Sequence, residues 1–295
     1  MKLDKLEKIL KSYKRITVAL SGGVDSAFLL AFASKALGAE NVRAITACGP
    51  HLAEDEVEYA KALCASLGIE HDVISMDYIM PILAPNPADR CYHCKKAMFS
   101  TLKEFAAKAA ADDFVLADGT NLDDMDDYRP GHKALAELDI ASPLKDAGLT
   151  KNEIRTALEM LSKEDRLLAN SLMLHDGTPI WDKPAFACLA SRIPYGEEIT
   201  EDKLAAVYKA ETFLRSLGLR QVRVRHHGDI ARIEVPAEDR VKLFGGQLDG
   251  KFDETLETTL DKINEEIKKY GFKYVTLDLG GYKMGGGFHN GQENK

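Results

Sequence analysis

Two groups of residues in this sequence have the types and spacing for chemistry. The first is the run Ser21-Gly22-Gly23-Val24-Asp25-Ser26. Glycines let a backbone approach an anion closely, and the free N–H groups at a helix start point toward it. Ser21 and Ser26 add hydroxyl donors, and Asp25 can hold a divalent ion that bridges phosphates. The run lacks the lysine of the GxxxxGK[ST] loop, so it is a phosphate loop of another kind. The second group is three cysteines. Cys91 and Cys94 form a C-x-x-C pair, and Cys188 stands alone in Pro184-Ala185-Phe186-Ala187-Cys188-Leu189-Ala190-Ser191-Arg192.

Several chemistries suit three thiols. A structural zinc ion normally takes four protein ligands, so zinc here needs His93 or another residue as its fourth. A [4Fe–4S] cluster bound through Cys91, Cys94 and Cys188 would have an open fourth iron. A redox-active Cys91/Cys94 dithiol and a Cys188 persulfide are further readings, and three inert thiols are the plainest. Cys48 and Cys64 read as packing residues.

The elements that must position these groups follow from the apolar pattern. Residues 16–20 read as a buried strand that delivers the glycine loop, and residues 27–37 as the helix that leaves it. Helices are expected at 3–13, 54–67, 95–111 and 150–161, the last with Thr150 as N-cap and Glu153 completing a capping box. Strands are expected at 42–47, 71–76 and 114–117, with a short fifth at 142–144. Residues 81–89 hold three prolines and read as an irregular loop. Residues 163–177 read as a helical continuation ending at Gly177. Alternating strands and helices imply an α/β fold, a parallel sheet with helices on both faces. Its ligand belongs at the carboxyl ends of the strands, where the glycine loop lies.

The pattern changes after residue 199. A helix over 200–217 capped by Thr200, two strands at 221–225 and 230–235 around the turn 226–229, a helix over 252–270 and a strand over 274–279 describe a smaller α+β domain. The expected organisation is a nucleotide domain at 1–180, a linking loop at 181–199 carrying Cys188, the α+β domain at 200–284 and a disordered tail at 285–295. The 295 residues suffice for two domains, and 45% apolar with 29% charged residues suits a soluble globular chain. The net charge of −8 counts against broad nucleic-acid binding. With neither a signal-peptide core nor a membrane-length apolar run, a cytoplasmic location is expected, where cysteines serve metals or catalysis sooner than disulfides.

The loop Ser21-Gly22-Gly23-Val24-Asp25-Ser26 resembles the SGGxDS loop of the ATP pyrophosphatase, or PP-loop, superfamily. That resemblance implies Mg²⁺-dependent cleavage of ATP between the α- and β-phosphates and adenylation of a substrate. The segments Asp127-Tyr128-Arg129-Pro130-Gly131, Ser191-Arg192-Ile193-Pro194-Tyr195-Gly196, Val222-Arg223-Val224-Arg225, Asp229-Ile230-Ala231-Arg232-Ile233-Glu234 and Tyr274-Val275-Thr276-Leu277-Asp278-Leu279-Gly280-Gly281-Tyr282 resemble the LarE family, in order and across nearly the whole chain. The resemblance implies an ATP-dependent sulfur transferase acting on a pyridinium dicarboxylate mononucleotide, on the route to the nickel-pincer nucleotide of lactate racemase. It also implies a homo-oligomer, hexameric in some members. One class of the family sacrifices a cysteine before the Ser-Arg-x-Pro-Tyr-Gly motif. The other, with C-x-x-C and one later cysteine, binds a [4Fe–4S] cluster. The sacrificial position falls on Ala187, which favours the cluster class. The stretch 163–177 is longer than the family's usual connection.

The resemblance makes Arg129, Arg192, Arg223, Arg225 and Glu211 candidates for contacting substrate, Asp25 and Ser26 candidates for catalysis with Cys188, and residues 21–26 the nucleotide cradle. Taken singly, each arginine is as readily a salt-bridge partner, and Glu211 a solvated helix carboxylate. Asp118, Gly119 and Thr120 sit at a strand end where adenylate could bind, or form a plain turn. His226 and His227 could serve acid–base chemistry but read sooner as solvated hairpin-tip residues, and the run Asp123, Asp124, Asp126, Asp127 invites a metal but reads sooner as a wet loop. Two rival functions stand beside the sulfur transferase: a cluster-dependent tRNA thiolase and a non-catalytic nucleotide sensor with a zinc site.

Overall fold

The structure, a computed structural model, describes residues 1–110, 114–125, 130–164, 166–174, 177–184, 186–243 and 254–282. The chain divides into two units: residues 1–82 with 89–186, and residues 83–88 with 187–295.

The first unit contains α1 (Lys2–Tyr13), β1 (Ile16–Ala19), α2 (Val24–Leu37), β2 (Val42–Cys48), α3 (Glu54–Leu67) and β3 (Glu70–Ser75). After the single turn α4 (Met80–Leu83) come α5 (Arg90–Ala110), β4 (Val115–Ala117), α6 (Gly131–Glu137), α7 (Pro143–Ala147), α8 (Lys151–Glu164) and α9 (Arg166–Ser171). The four strands are all parallel, in the order β3-β2-β1-β4. Ile16 pairs with Val42 on one side and Val115 on the other. Ile16, Val18 and the α2 residues Phe28, Leu29 and Leu30 lie in a core that also takes Leu6 and Leu10 of α1 and Ile154 and Leu158 of α8. An apolar α2 is what a helix enclosed by its neighbours requires.

The chain runs outward from β1 to β2 and β3, then returns to place β4 on the far side of β1. The crevice between β1 and β4 is therefore the switch point of the sheet, the position where such folds bind ligands. The loop after β1 and the segment after β4 meet there. A Cβ on Gly119 would stand 2.8 Å from the Ser26 amide nitrogen and 3.1 Å from its Cα. Gly22 has φ +76°, and a Cβ there would lie 2.5 Å from the Glu56 carbonyl oxygen. Both positions need glycine, one for room and one for room and conformation.

The expected strand at 142–144 is instead a single parallel bridge, Ala117 to Ala141. Ser142 then starts α7 with a proline in its first turn. Proline has no N–H for a ladder but suits the first helical position. Residues 163–177 are not one helix. Helix is described over 163–164 and 166–171, as expected, but it stops at Ser171 and does not run on to Gly177, which has φ +77°; Met173 bridges to Pro179. The capping box is present: the Thr150 amide donates to Glu153 Oε2 at 2.9 Å.

The second unit holds α10 (Glu201–Ser216), β5 (Arg223–His227), β6 (Ile230–Glu234), α11 (Ala237–Leu243), α12 (Glu254–Lys268) and β7 (Tyr274–Leu277). β5 and β6 form a hairpin, and β7 adds parallel to β6. Ala210 and Leu214 pack with Val224, Ile233 and Ile267 in its core. The Thr200 hydroxyl caps α10 by accepting from the Lys203 amide. Among the described residues no helix is long and apolar enough to cross a membrane. The expected tail at 285–295 lies outside the described residues.

Gly119→Ala should lower the unfolding free energy by about 1–3 kcal/mol, since backbone atoms must move to admit the methyl group. Urea unfolding checks this, and an unchanged midpoint would show that the two segments yield freely.

Candidate nucleotide site and cysteine loop

The glycine loop is braced from within. The buried Ser26 hydroxyl donates to the Gly23 carbonyl at 3.1 Å and accepts from the Ser21 amide at 3.2 Å. The Ser21 hydroxyl lies 3.1 Å from Ser26 Oγ. Ser26 therefore shapes the loop, and Ser21 is the exposed hydroxyl at its rim. Gly23 is the N-cap of α2 and offers no side-chain cap to the first-turn amides. Those amides suit an anionic ligand.

Asp25 lies in the first turn of α2. Its Oδ2 accepts from Lys151 Nζ, while its Oδ1 is buried with no hydrogen-bond partner. Burial raises its carboxyl pKa, Lys151 opposes the rise, and Asp124 nearby adds to it. A buried carboxylate oxygen without a donor, with a second carboxylate close by, fits a divalent cation. Mg²⁺ asks for little more, because phosphates and waters complete its shell.

Three basic residues of this site escape sequence reasoning. Lys151 is the first residue of α8, where a positive charge opposes the helix dipole, and that misplacement is the available signal. Lys183 Nζ donates to the Gly22 carbonyl at 3.0 Å and to Glu56 Oε2 at 2.7 Å. Arg155 donates to the carbonyls of Trp181 and Lys183, the latter at 2.7 Å, and so pins the chain that presents Lys183.

At the end of β4, buried Asp118 accepts from the hydroxyls of Thr120 and Ser142, the latter at 2.7 Å. The segment is a fixed shelf beside the loop. Asp123 caps α8 through the Lys151 amide at 2.8 Å, and Asp124 accepts from the Asn121 amide at 3.0 Å. These two acids are thus engaged with backbone. Asp126, Asp127 and Arg129 lie outside the described residues.

The helix α5 begins five residues earlier than expected, so Cys91 and Cys94 share one face of its first turns. Cys91 is exposed, and Cys94 is half-buried with His51 Nε2 at 3.9 Å from its sulfur. Burial pulls the His51 pKa down to about 4, which keeps the ring neutral. Burial pushes the Cys64 thiol up to about 12, the state of an inert packing cysteine. His93 pairs with Asp89 at 3.0 Å on the exposed side of the helix. Among the described residues, no three His, Cys, Asp or Glu side chains gather where they could hold a metal ion.

In the second unit, Cys188 is half-buried and precedes a tight turn, Leu189–Arg192. Arg192 is 0% exposed and forms a two-pronged pair with Glu211, also 0% exposed, at 2.8 and 2.9 Å. The remaining nitrogen of Arg192 donates to the carbonyls of Ala187, at 2.8 Å, and Cys188, at 3.3 Å. Arg225 pairs in the same way with Glu234 and donates to the Ser191 carbonyl at 2.8 Å. Asn86 donates to the carbonyls of Pro194, at 2.6 Å, and Glu197, at 2.8 Å, with φ +49°. The expected substrate residues Arg192, Glu211, Arg223 and Arg225 are thus gathered together. What the structure shows of Arg192, Glu211 and Arg225 is a clamp on the backbone around Cys188. Arg223 is buried under the Tyr282 ring, and burial, with Arg192 adding to it, lowers its pKa to about 10.

His226 and His227 are not solvated tip residues. They lie within β5, the turn is Gly228-Asp229, and His226 packs on Phe272 at 5.0 Å. Burial holds the pKa of each ring below its ordinary value.

Residues 3–104, from α1 through the glycine loop and into α5, match the NAD synthase family model. Over 277 residues the chain is 36% identical to the pyridinium-3,5-bisthiocarboxylic acid mononucleotide synthase of Lactiplantibacillus plantarum, covering 94% of this chain and 90% of that protein. The chain belongs to the LarE family. The chain is also 39% identical to slr1717 of Synechocystis, with 96% of each chain covered. MJ0830 of Methanocaldococcus jannaschii is 30% identical, covering 96% of this chain and 97% of its own. Both are uncharacterized. The NAD synthase match supports the reading of the first unit as a PP-loop domain.

Glu211→Ala should cost about 3–5 kcal/mol of unfolding free energy, because it strands a buried guanidinium. A loss under about 1 kcal/mol would show that the pair does not hold the clamp. Burial alone would raise the Glu211 pKa, but Arg192, with Arg223 and the Val224 amide, outweighs it and holds the carboxyl below its ordinary value. A folded pKa below the unfolded one means that this stabilisation is complete above about pH 4.3 and fades only as pH falls through the folded value.

Proposed function

We propose that this protein is an ATP-dependent sulfur transferase that converts a substrate carboxylate to a thiocarboxylate. The substrate is a pyridinium-3,5-dicarboxylate mononucleotide, and the product serves nickel-pincer nucleotide biosynthesis. The observation that carries this reading is the Asp25 carboxylate. It is half-neutralised by Lys151 and half-unsatisfied, at the head of α2, in a chain of the LarE family.

A carboxylate is a poor acceptor for nucleophiles until one oxygen is made a leaving group. In the proposed reaction a substrate carboxylate oxygen attacks the α-phosphorus of ATP. The bond from that phosphorus to the bridging oxygen breaks, and pyrophosphate leaves. The first amides of α2 receive the departing charge, and Asp25 with Asp124 would hold the Mg²⁺ that neutralises it. A sulfide-level nucleophile then attacks the acyl carbon, the C–O bond to phosphate breaks, and AMP leaves.

Cys91, Cys94 and Cys188 form no disulfide, and the chemistry of three thiols as a donor set fits a [4Fe–4S] cluster. Such a cluster would supply an open iron able to carry the transferred sulfur. The clamp of Arg192, Glu211 and Arg225 is then the device that holds the Cys188 backbone in one conformation.

The test is anaerobic. Protein prepared without oxygen should be brown, contain iron and acid-labile sulfide, and thiolate the pyridinium dicarboxylate for many turnovers with ATP, Mg²⁺ and sulfide. Cys188→Ala should lose both the colour and the turnover. Iron-free wild-type protein making no more than one product per chain would remove the cluster. Absence of thiolated product under every condition would remove the sulfur transferase.

A further inference from the structure

The glycine loop carries no cation of its own. Between Ser21 and the last turn of α2, where Lys35 stands, there is no basic residue. A helix N-terminus offers only about half a unit charge to a multiply charged pyrophosphate. Some other part of the chain must supply the rest.

We infer that Lys183 is that cation: it binds the β- and γ-phosphates of ATP, and pyrophosphate after cleavage, beside the Gly22 carbonyl. The inference rests on the ATP site proposed above. Lys183 reaches the loop from 161 positions away, with its ammonium 3.0 Å from the Gly22 oxygen. It is a built position. Its amide donates to the Ile180 carbonyl at 3.0 Å, and Arg155 holds its carbonyl at 2.7 Å. Its side chain is 15% exposed, and the ammonium lies 5.5 Å from the centre of the Tyr59 ring. An ammonium has three donors. Gly22 and Glu56 take two, and among the described residues no acceptor takes the third. Glu56 is the counter-ion of Lys183. An arriving phosphate presents denser negative charge to the same ammonium, and Lys183 turns to it without leaving the Gly22 carbonyl.

Removing Lys183 alone would take the ammonium from the Glu56 carboxylate, whose charge would then repel phosphate. The test is therefore a cycle of wild type, Lys183→Met, Glu56→Gln and the double variant, titrated separately with pyrophosphate, Mg·ATP and AMP by calorimetry, with thermal unfolding of each. The double variant should unfold at the wild-type temperature and bind AMP normally. It should bind pyrophosphate and ATP about tenfold or more weaker. A double variant that binds pyrophosphate like wild type would overturn the inference, leaving Lys183 only the neutralisation of Glu56. Wild-type protein that binds neither ATP nor pyrophosphate would instead overturn the reading of the site itself.

Discussion

Asp25 is held in a state that folding alone does not satisfy. One carboxylate oxygen rests on Lys151, and the other is buried without a donor. An unmet buried oxygen costs on the order of 1–3 kcal/mol, more when it is charged. Its place is set by the buried centre of the first unit. The central strand β1 runs into the loop, α2 leaves it through the core, and the shelf after β4 presses on it at Gly119. A site so placed can keep an unsatisfied charge because the surrounding packing leaves it no way to relax. In the proposed function, the cation and phosphates of a nucleotide would supply what is missing.

The second unit solves a different problem. In the proposed function Cys188 must stay accessible while the loop bearing it is held in place, and packing of Leu189, Ala190 and Ile193 is only part of that hold. Buried arginines also fix its backbone. Arg192 and Arg225 each spend two nitrogens on a carboxylate and another on carbonyls of the 187–191 segment. Asn86 grips the chain just beyond. The pairing carboxylates offset the cost of burying the guanidiniums, and the planar fork makes the grip directional. Arginines expected to meet substrate are thereby seen first as the frame of the loop.

What was legible in the sequence was local or periodic. The strand, glycine loop and helix are contiguous, and Thr150 with Glu153 announces a helix start three residues long. The parallel sheet and the strand-end position of the loop follow from alternation of strands and helices, whereas the return of β4 to the far side of β1 does not. The hidden residues are those whose partners are remote. Lys151 and Asp25 are 126 positions apart, and Lys183 and Gly22 are 161 apart. No spacing rule spans such gaps. Burial was likewise misjudged where a strand ran longer than its apolar pattern. His226 and His227 read as turn residues because they are polar, but pairing with Ala231 and Ile230 carries them into the sheet.

The central claim is that ATP is opened at its α-phosphate in the crevice between β1 and β4. Phosphorus NMR of the anaerobic protein with Mg·ATP and the pyridinium dicarboxylate measures it directly. The account predicts AMP and pyrophosphate, formed only when the carboxylate substrate is present. ADP and inorganic phosphate would contradict it.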